Sequence, residues 1–438
     1  MATTASNLGA TFLEKFIDTE IQIEFNDSTE AYQDFDEVTV AWDGAAGILS
    51  LNTERNSSVG ASSGVITPPA GQEGYDRMVI GAKRVYGTNG IDGPTLAQAK
   101  KKGPNVLAPQ IMTMGIRLMK DFQKKLTEYV FTGGPFAGYV WQLQNAVTFQ
   151  YRGRFKDIAV NGEIPGICQV RLIRTDLYTQ VGIDTQVDLI NGTTLTLNAP
   201  INTSLVPIGV PMVVQIVGAQ AALSDPVQIV GKTIAAVTME PQGFIGNMSN
   251  PNLFGINRAL VTPAAEVMRG NFRNASGGSV LAPLGFGDLD EDLANIMTRI
   301  GERPTKRWLS WVSLNAYKTL LQGTFVAGTS ANNVRMDASN KPTRLGVGVE
   351  QIKGDAHMDK DGVPFFCSDV CPNGIIFTTN IQTYVRAQLG EGAWVGSELG
   401  LDAMQRVQNS DSFTQTWRQY YDLVCKKPAA NGVITAFN

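Results

Sequence analysis

The stretch Asn105 to Gly134, NVLAPQIMTMGIRLMKDFQKKLTEYVFTGG, limits the fold of this chain more sharply than any other. Leu107, Ile111, Met114, Leu118, Phe122, Leu126 and Tyr129 recur at steps of three and four, the period that lines one face of an α-helix. Arg117, Lys120, Asp121, Lys124 and Glu128 take the opposite face. Asn105 is placed to cap the start, Pro109 to sit where a first turn tolerates a missing N–H, and Gly133-Gly134 to supply a left-handed stop. At ~1.5 Å per residue the helix is on the order of 40 Å long, a spine well beyond the usual three turns.

Around this spine, 438 residues are enough for two or three domains with cores of their own. Only 17% of residues are charged and 45 are glycine, which favours extended, turn-rich structure whose surface is hidden by something else, neighbouring subunits being the expected cover. A formal net charge of −4 argues against a surface that grips nucleic acid all round, while leaving room for a local basic patch. No apolar run reaches the roughly eighteen residues a membrane span needs. The opening MATTASNLGA lacks the basic start and apolar core of a signal peptide, so the chain is expected to stay in the cytosol that makes it. Cys168, Cys367, Cys371 and Cys425 are too scattered for a disulfide framework and read as buried, reduced thiols. The spacing of Cys367 and Cys371, with no histidine nearby, is not that of a zinc site.

Upstream of the spine, Phe16 to Asp43 carries nine carboxylates and no Lys or Arg, an acidic arm. Its apolar residues, among them Ile17, Ile21, Tyr32 and Phe35, sustain no helical face, so the arm is expected to find its partner surface outside its own fold. Val38 to Trp42, Ile48 to Asn52 and Met78 to Tyr86 read as strands, and the Ser-, Gly- and Pro-rich Ser57 to Gly74 lies between the last two. Two extended arms with a loose tip make a long β-finger, which cannot bury a core alone and is predicted to lie on a neighbour. Thr95 to Lys102 reads as a short helix ending in three lysines.

From Pro135 to about Asn250 short β-rich runs take over: Val147 to Tyr151, Cys168 to Ile173, Val187 to Ile190, Thr194 to Leu197, Met212 to Val217 and Thr233 to Met239. With Asn191-Gly192 as a hairpin signal, they predict a small inserted barrel or sandwich. Helical periodicity resumes at Asp288 to Ile300 through Leu289, Leu293, Ile296, Met297 and Ile300. Trp308 to Val312 reads as a buried strand, Leu314 to Leu321 as a helix, and Val363 to Phe366, Gly374 to Thr378 and Tyr384 to Leu389 as strands. A closing strand, Phe413 to Cys425, alternates Trp417, Tyr421, Leu423 and Cys425.

Catalytic and cofactor motifs fail on their spacing. His357 is the only histidine and sits in the turn-rich GDAHMDKDG, a poor base for a nucleophile triad. Asp359 to Gly362 begins like a calcium loop, but its glycine falls too early and no glutamate closes the register, so it reads as a β-turn. Gly346-Val347-Gly348 lacks the Gly-Lys-Ser/Thr ending of a phosphate loop. The chain is therefore read as no enzyme, with neither metal nor cofactor.

The order of parts, acidic arm, β-finger, spine helix, Asp-initiated helix, strand-helix pair and β-rich return, resembles the major capsid proteins of tailed bacteriophages, the Hong Kong 97-type fold. The likeness rests on Met78 to Lys102 running into the spine, on Asn252-Leu253-Phe254-Gly255-Ile256, on Trp308 to Gln322, and on Phe413 to Ile434. It implies an α+β capsid subunit with an N-terminal arm (1–43), extended loop (44–90), peripheral domain with spine (91–134), inserted β-rich module (135–250), further peripheral segment (251–303), axial domain (304–390) and peripheral return (391–438). It further implies hexamers and pentamers in an icosahedral shell, packaged double-stranded DNA contacted without sequence preference, a portal, a decoration protein and, since the arm is short, a separate scaffold protein. The roughly hundred residues after the spine depart from the family pattern. No lysine lies between Gly44 and Ala82, so the loop-lysine crosslinking of some family members is not expected.

The candidate assembly residues are Asp34, Asp36 and Glu37 in the arm, Arg55 and Arg77 on the finger, and Lys120 and Lys124 on the spine, whose basic face is expected to meet the shell interior or a neighbour's acidic arm. Competing readings are a cellular nanocompartment shell of the same fold, and a β-rich binding protein or enzyme built around 135–250.

Overall fold

The computed structural model describes residues 30–39, 42–43, 46–54, 74–81, 83–92, 104–145, 147–153, 168–191, 194–201, 210–219, 228–229, 232–233, 240–259, 267–275, 284–318, 349–352, 355–388, 390, 392–395, 404–406 and 412–437. The spine is a helix of 29 residues, Pro104–Thr132. It starts on Pro104, whose fixed φ suits the first helical position, so Asn105 lies inside the helix and is not its cap. Pro109 consequently falls in the second turn, where its missing N–H costs a helical hydrogen bond. Gly134 stops the helix at a φ of 82°. Leu118, Phe122, Leu126 and Tyr129 are buried, while Arg117, Lys120, Asp121 and Lys124 are exposed.

The buried face of the spine lies on a six-stranded sheet organised by the long strand Ser412–Cys425. The second half of that strand pairs with Tyr384–Gln388, which in turn pairs in parallel with Asp36–Thr39 of the arm. Its first half pairs with Arg84–Asp92 and with the short strands Ala393–Trp394 and Met404–Arg406. Gly87 lets the helix come close, because a Cβ there would stand 3.1 Å from both Leu118 and Phe122. A short buried helix, Phe244–Ser249, completes this core. Its Asn247 side chain donates to the Leu423 carbonyl (2.8 Å) and accepts from the Cys425 N–H (3.0 Å), serving the long strand as a neighbouring strand would.

The finger consists of Ala46–Glu54 paired with Gly74–Gly81, with Trp42–Asp43 at its edge. The predicted strand Met78 to Tyr86 is thus two strands in two sheets, divided between Gly81 and Arg84, and Val38 to Trp42 is likewise divided. The finger base does not wait for a neighbour on both faces. Leu51, Met78 and Ile80 pack against Leu253, Ile256, Met268, Val385 and Val424 of the same chain. Period-two alternation puts the cross-strand pair Ile48 and Val79 on the other face, 50% and 44% exposed. The finger tip, residues 57–73, and the segment 95–102 lie outside the described residues.

A closed six-stranded antiparallel barrel follows, in the order Thr194–Leu197, Thr148–Gly153, Phe136–Asn145, Met212–Ala219, Cys168–Arg174, Gln180–Asn191. Phe136–Asn145, which no sequence pattern marked, is one of its six strands. Val140, Phe149, Val170, Leu172, Leu195, Met212 and Val214 fill the interior. The barrel is shorter than the 135–250 module: Phe244–Ser249 belongs to the spine core, and of Thr233 to Met239 only Lys232–Thr233 is described as strand. Two tyrosines seat the barrel on the body. Tyr139 shares a hydrogen bond with Ser249 (2.9 Å), and the Tyr178 hydroxyl donates to the Met248 carbonyl and accepts from the Gly270 N–H (2.9 Å). Fully buried Arg258 donates to the carbonyls of Asn247 and Met248 at the end of the short helix, with the Tyr178 ring 5.2 Å away.

The second body sheet has seven strands, Asn271–Asn274, Gly432–Thr435, Ile375–Thr379, Lys306–Leu309, Val363–Cys367, Asp355–Lys360 and Val349–Ile352. The terminal strand Gly432–Thr435 therefore sits among strands assigned to the axial segment, and Tyr384–Gln388 sits in the other sheet, so the sequence boundary at 390 cuts across both. Trp308 to Val312 is not one strand. Ser310 Oγ accepts from the Ser313 N–H (3.2 Å) and starts a helix over residues 311–318, leaving Trp311 and Val312 exposed on its first turn. On Phe286–Ile300 Leu289 and Ile296 are buried as expected, but Asp292 is buried with them and Met297 is exposed. Asp361 and Gly362, both at positive φ, form the two-residue turn between Asp355–Lys360 and Val363–Cys367.

Candidate assembly surfaces

The arm residues are held by their own chain. Ala31, Tyr32 and Phe35 are buried in the spine core, with Tyr32 edge-on to Tyr421 (5.3 Å) and Phe35 against Phe244 and Tyr384. Lys306 pairs with Asp34, and its ammonium lies 4.2 Å from the Phe366 ring. Arg386 pairs with Glu37, donates to the Phe35 carbonyl (3.2 Å) and lies over the Tyr32 ring at 4.3 Å. Burial pushes the Tyr32 phenol up to about 12, with Arg386 pulling against it. The expectation that the arm finds its surface outside its own fold therefore fails for residues 30–39, because a buried arginine, a half-buried lysine and an aromatic pocket in this chain already complement it. Arg386 was legible in principle: a guanidinium between Val385 and Ala387 in the short strand YVRAQ requires a counter-charge once that strand is buried.

Asp36 stays exposed on its strand. Arg77 is exposed on the finger across from Ser50, and Arg55 lies outside the described residues. Lys120 and Lys124 are both exposed on the spine, Lys124 with its ammonium 3.8 Å from Asp369, so the structure brings neither together with the arm residues. Cys371 and Cys425 are buried free thiols, and Cys367 is a half-buried one. Burial pushes the Cys425 thiol up to about 11, which removes it from thiolate chemistry.

Missed by sequence reasoning are two acids in the interior. Asp292 accepts from Thr378 Oγ1 (2.5 Å), beside buried Arg307, and burial raises its carboxyl to about 6. Asp422 accepts from the N–H groups of Gln242 (2.6 Å) and Leu423 (3.0 Å), and burial raises it to about 7 against those bonds and Lys83. Both stand on elements named for their apolar residues. No group of metal-ligating side chains occurs among the described residues, and no described helix is long and apolar enough to cross a membrane.

A spine helix laid over one sheet, a second sheet beside it and a projecting finger define a capsid-protein fold. The chain takes this fold in common with the capsid asymmetric unit of cyanophage A-1(L), at a TM-score of 0.51 and 8% identity over 94% of this chain and 93% of that one. Weaker likenesses run to the capsid of an empty GTA particle (TM-score 0.45, 8% identity, 94% and 91% covered) and to the SrpI encapsulin complex of Synechococcus elongatus (0.41, 8%, 94% and 89%). No protein-family model and no curated sequence matches the chain.

Proposed function

We propose that this chain is the major capsid protein of a tailed bacteriophage, a non-enzymatic subunit of Hong Kong 97-type architecture that assembles through hexamers and pentamers into the icosahedral shell around a double-stranded DNA genome. The observation that carries this reading is the breadth of the likeness to the cyanophage capsid chain, which leaves almost no part of either chain unaligned. The finger supports it: Ile48 and Val79 keep an apolar strip exposed that a second copy would cover. In this reading Asp36, Arg55 and Arg77 face neighbouring copies. The basic spine face of Arg117, Lys120 and Lys124 receives the acidic segment 16–27 of an adjacent copy. Assembly takes place in the host cytoplasm with a separate scaffold protein, a portal and a decoration protein. Electron microscopy of the purified protein tests the reading: closed shells with five- and sixfold capsomers are expected, and a chain that stays monomeric at every concentration and salt would overturn it.

A further inference from the structure

A cleft of about 170 Å³ lies where the barrel meets the body. Thr175, Asp176, Val210 and Pro211 form its barrel side, and Arg269, Gly270, Phe272 and Arg299 its body side. The walls are fixed before anything enters. Thr175 donates its N–H (3.4 Å) and its hydroxyl (2.7 Å) to the Pro211 carbonyl, which holds the barrel side together. The Gly270 N–H donates to the Tyr178 hydroxyl (2.9 Å), tying the body side to the barrel. The Phe272 ring rests against the Tyr139 ring at 6.0 Å. A cleft held in this way gives up little conformational freedom when a ligand enters.

Two properties of the lining decide what it takes. The first is where its charge is already satisfied. Asp176, the one carboxylate among the lining residues, accepts from Arg174 Nε (3.0 Å), Arg174 Nη2 (2.6 Å) and the Leu177 N–H (2.9 Å), so its charge is met from outside the cleft. Arg299 differs. Among the described residues it has no ion pair, and its one hydrogen bond runs from Nη1 to the Gly270 carbonyl at 3.5 Å, the outer limit for such a bond. Acids on its helix and just beyond are engaged elsewhere: Asp288 and Glu291 with Arg273, Asp290 with Lys360, and Glu302 with Lys427. A guanidinium presents its donors as a planar fork that fits the oxygens of a phosphate or carboxylate group. The second property is the apolar part of the lining, Val210, Pro211 and the Phe272 ring, which suits a hydrocarbon or aromatic body beside that group. At roughly 10–15 Å³ for each water, the cleft holds on the order of ten waters, the room of a small molecule and not of a folded partner.

We infer that the cleft between barrel and body is a binding site for a small organic oxyanion, its phosphate or carboxylate head on Arg299 and its apolar part against Phe272 and Pro211. The site is built within one copy of the chain, so it goes beyond the capsid reading and needs no assembled shell. A ligand seated there touches both barrel and body, and so holds the two together beyond what Tyr139, Tyr178 and Arg258 already do.

The test is a ligand-observed NMR titration of the purified full chain at constant ionic strength, with phenyl phosphate, benzoate and inorganic phosphate as probes. The better of the two aromatic probes is expected to bind with a Kd on the order of 1 mM, and which of them it is assigns the head group. Inorganic phosphate, lacking the ring, should bind roughly fivefold more weakly than phenyl phosphate. Arg299→Gln, at an exposed helical position, is expected to weaken the aromatic probes by roughly tenfold or more, the usual loss of a charge-assisted hydrogen bond. Arg299→Lys keeps the charge without the fork and should fall between the two, and it serves if Arg299→Gln is unstable. Arg117→Gln, on the exposed face of the spine, should bind as wild type. The inference is overturned by wild type that binds neither aromatic probe, by unchanged binding in both Arg299 variants, by inorganic phosphate binding as tightly as phenyl phosphate, or by an equal loss in Arg117→Gln.

Discussion

Asp422 is fully buried, one of its carboxylate oxygens takes two backbone N–H groups, and the other has no hydrogen-bond partner among the described residues. Its carboxyl, raised to about 7, keeps a proton in the folded chain at pH values where the unfolded chain has lost it. The contribution to stability is therefore full below about pH 4 and is lost as pH rises through 7, and Asp292 adds the same trend up to about 6. Asp422→Asn retains an acceptor for both N–H groups and cannot ionise. In urea unfolding of the unassembled chain, it is expected to narrow the stability difference between pH 5 and pH 8 by on the order of 2–3 kcal/mol relative to wild type. An unchanged difference would mean that the carboxyl already ionises freely. Such residues were invisible to pattern reading because periodicity registers apolar positions, and a buried acid in a strand such as YYDLVC looks like an outward one. The stop at Gly134 and the turn at Asp361-Gly362 were legible, since there the residue type itself dictates the backbone.

Among the elements, the arm tests the corrected picture most directly. If residues 30–39 are part of this chain's own core, Phe35→Ala should lower the stability of the unassembled chain by about 3–5 kcal/mol, the usual loss for a buried phenylalanine. A value near zero in calorimetry would return the arm to a neighbouring copy. The finger makes the opposite prediction. Removing Ser57 to Gly74 leaves Leu51, Met78 and Ile80 on their own-chain core, so the variant should fold and form capsomers yet fail to close into shells. Normal shells in sedimentation and micrographs would show that the tip is dispensable. The spine and the barrel were legible because each repeats one period over many residues. The division of Met78 to Tyr86 was not, because a strand that leaves one sheet for another keeps its alternation and changes only its partner. The helix read from Leu314 starts three residues earlier, at Trp311, because exposed Trp311 and Val312 extended the apparent strand before it.

Across the whole molecule, three apolar clusters join finger, spine and sheets into one body, and a fourth fills the barrel, which Tyr139, Tyr178 and Arg258 fasten to that body. With no lysine between Gly44 and Ala82, the proposed shells are expected to lack lysine-asparagine crosslinks through the finger. Denaturing gels of mature particles should show one band near 47.2 kDa, and a ladder of multimers would refute this. Particle strength then depends on how a load enters each copy. The finger strand Gly74–Gly81 is followed almost at once by Arg84–Asp92, which lies antiparallel along the long strand over nine consecutive residue pairs. Where the finger pulls along the axis of Arg84–Asp92, the ladder is loaded in shear and its hydrogen bonds share the force, instead of being peeled open one bond at a time. In the proposed shell, a finger pulled outward along this seam would meet nine residue pairs at once in each copy.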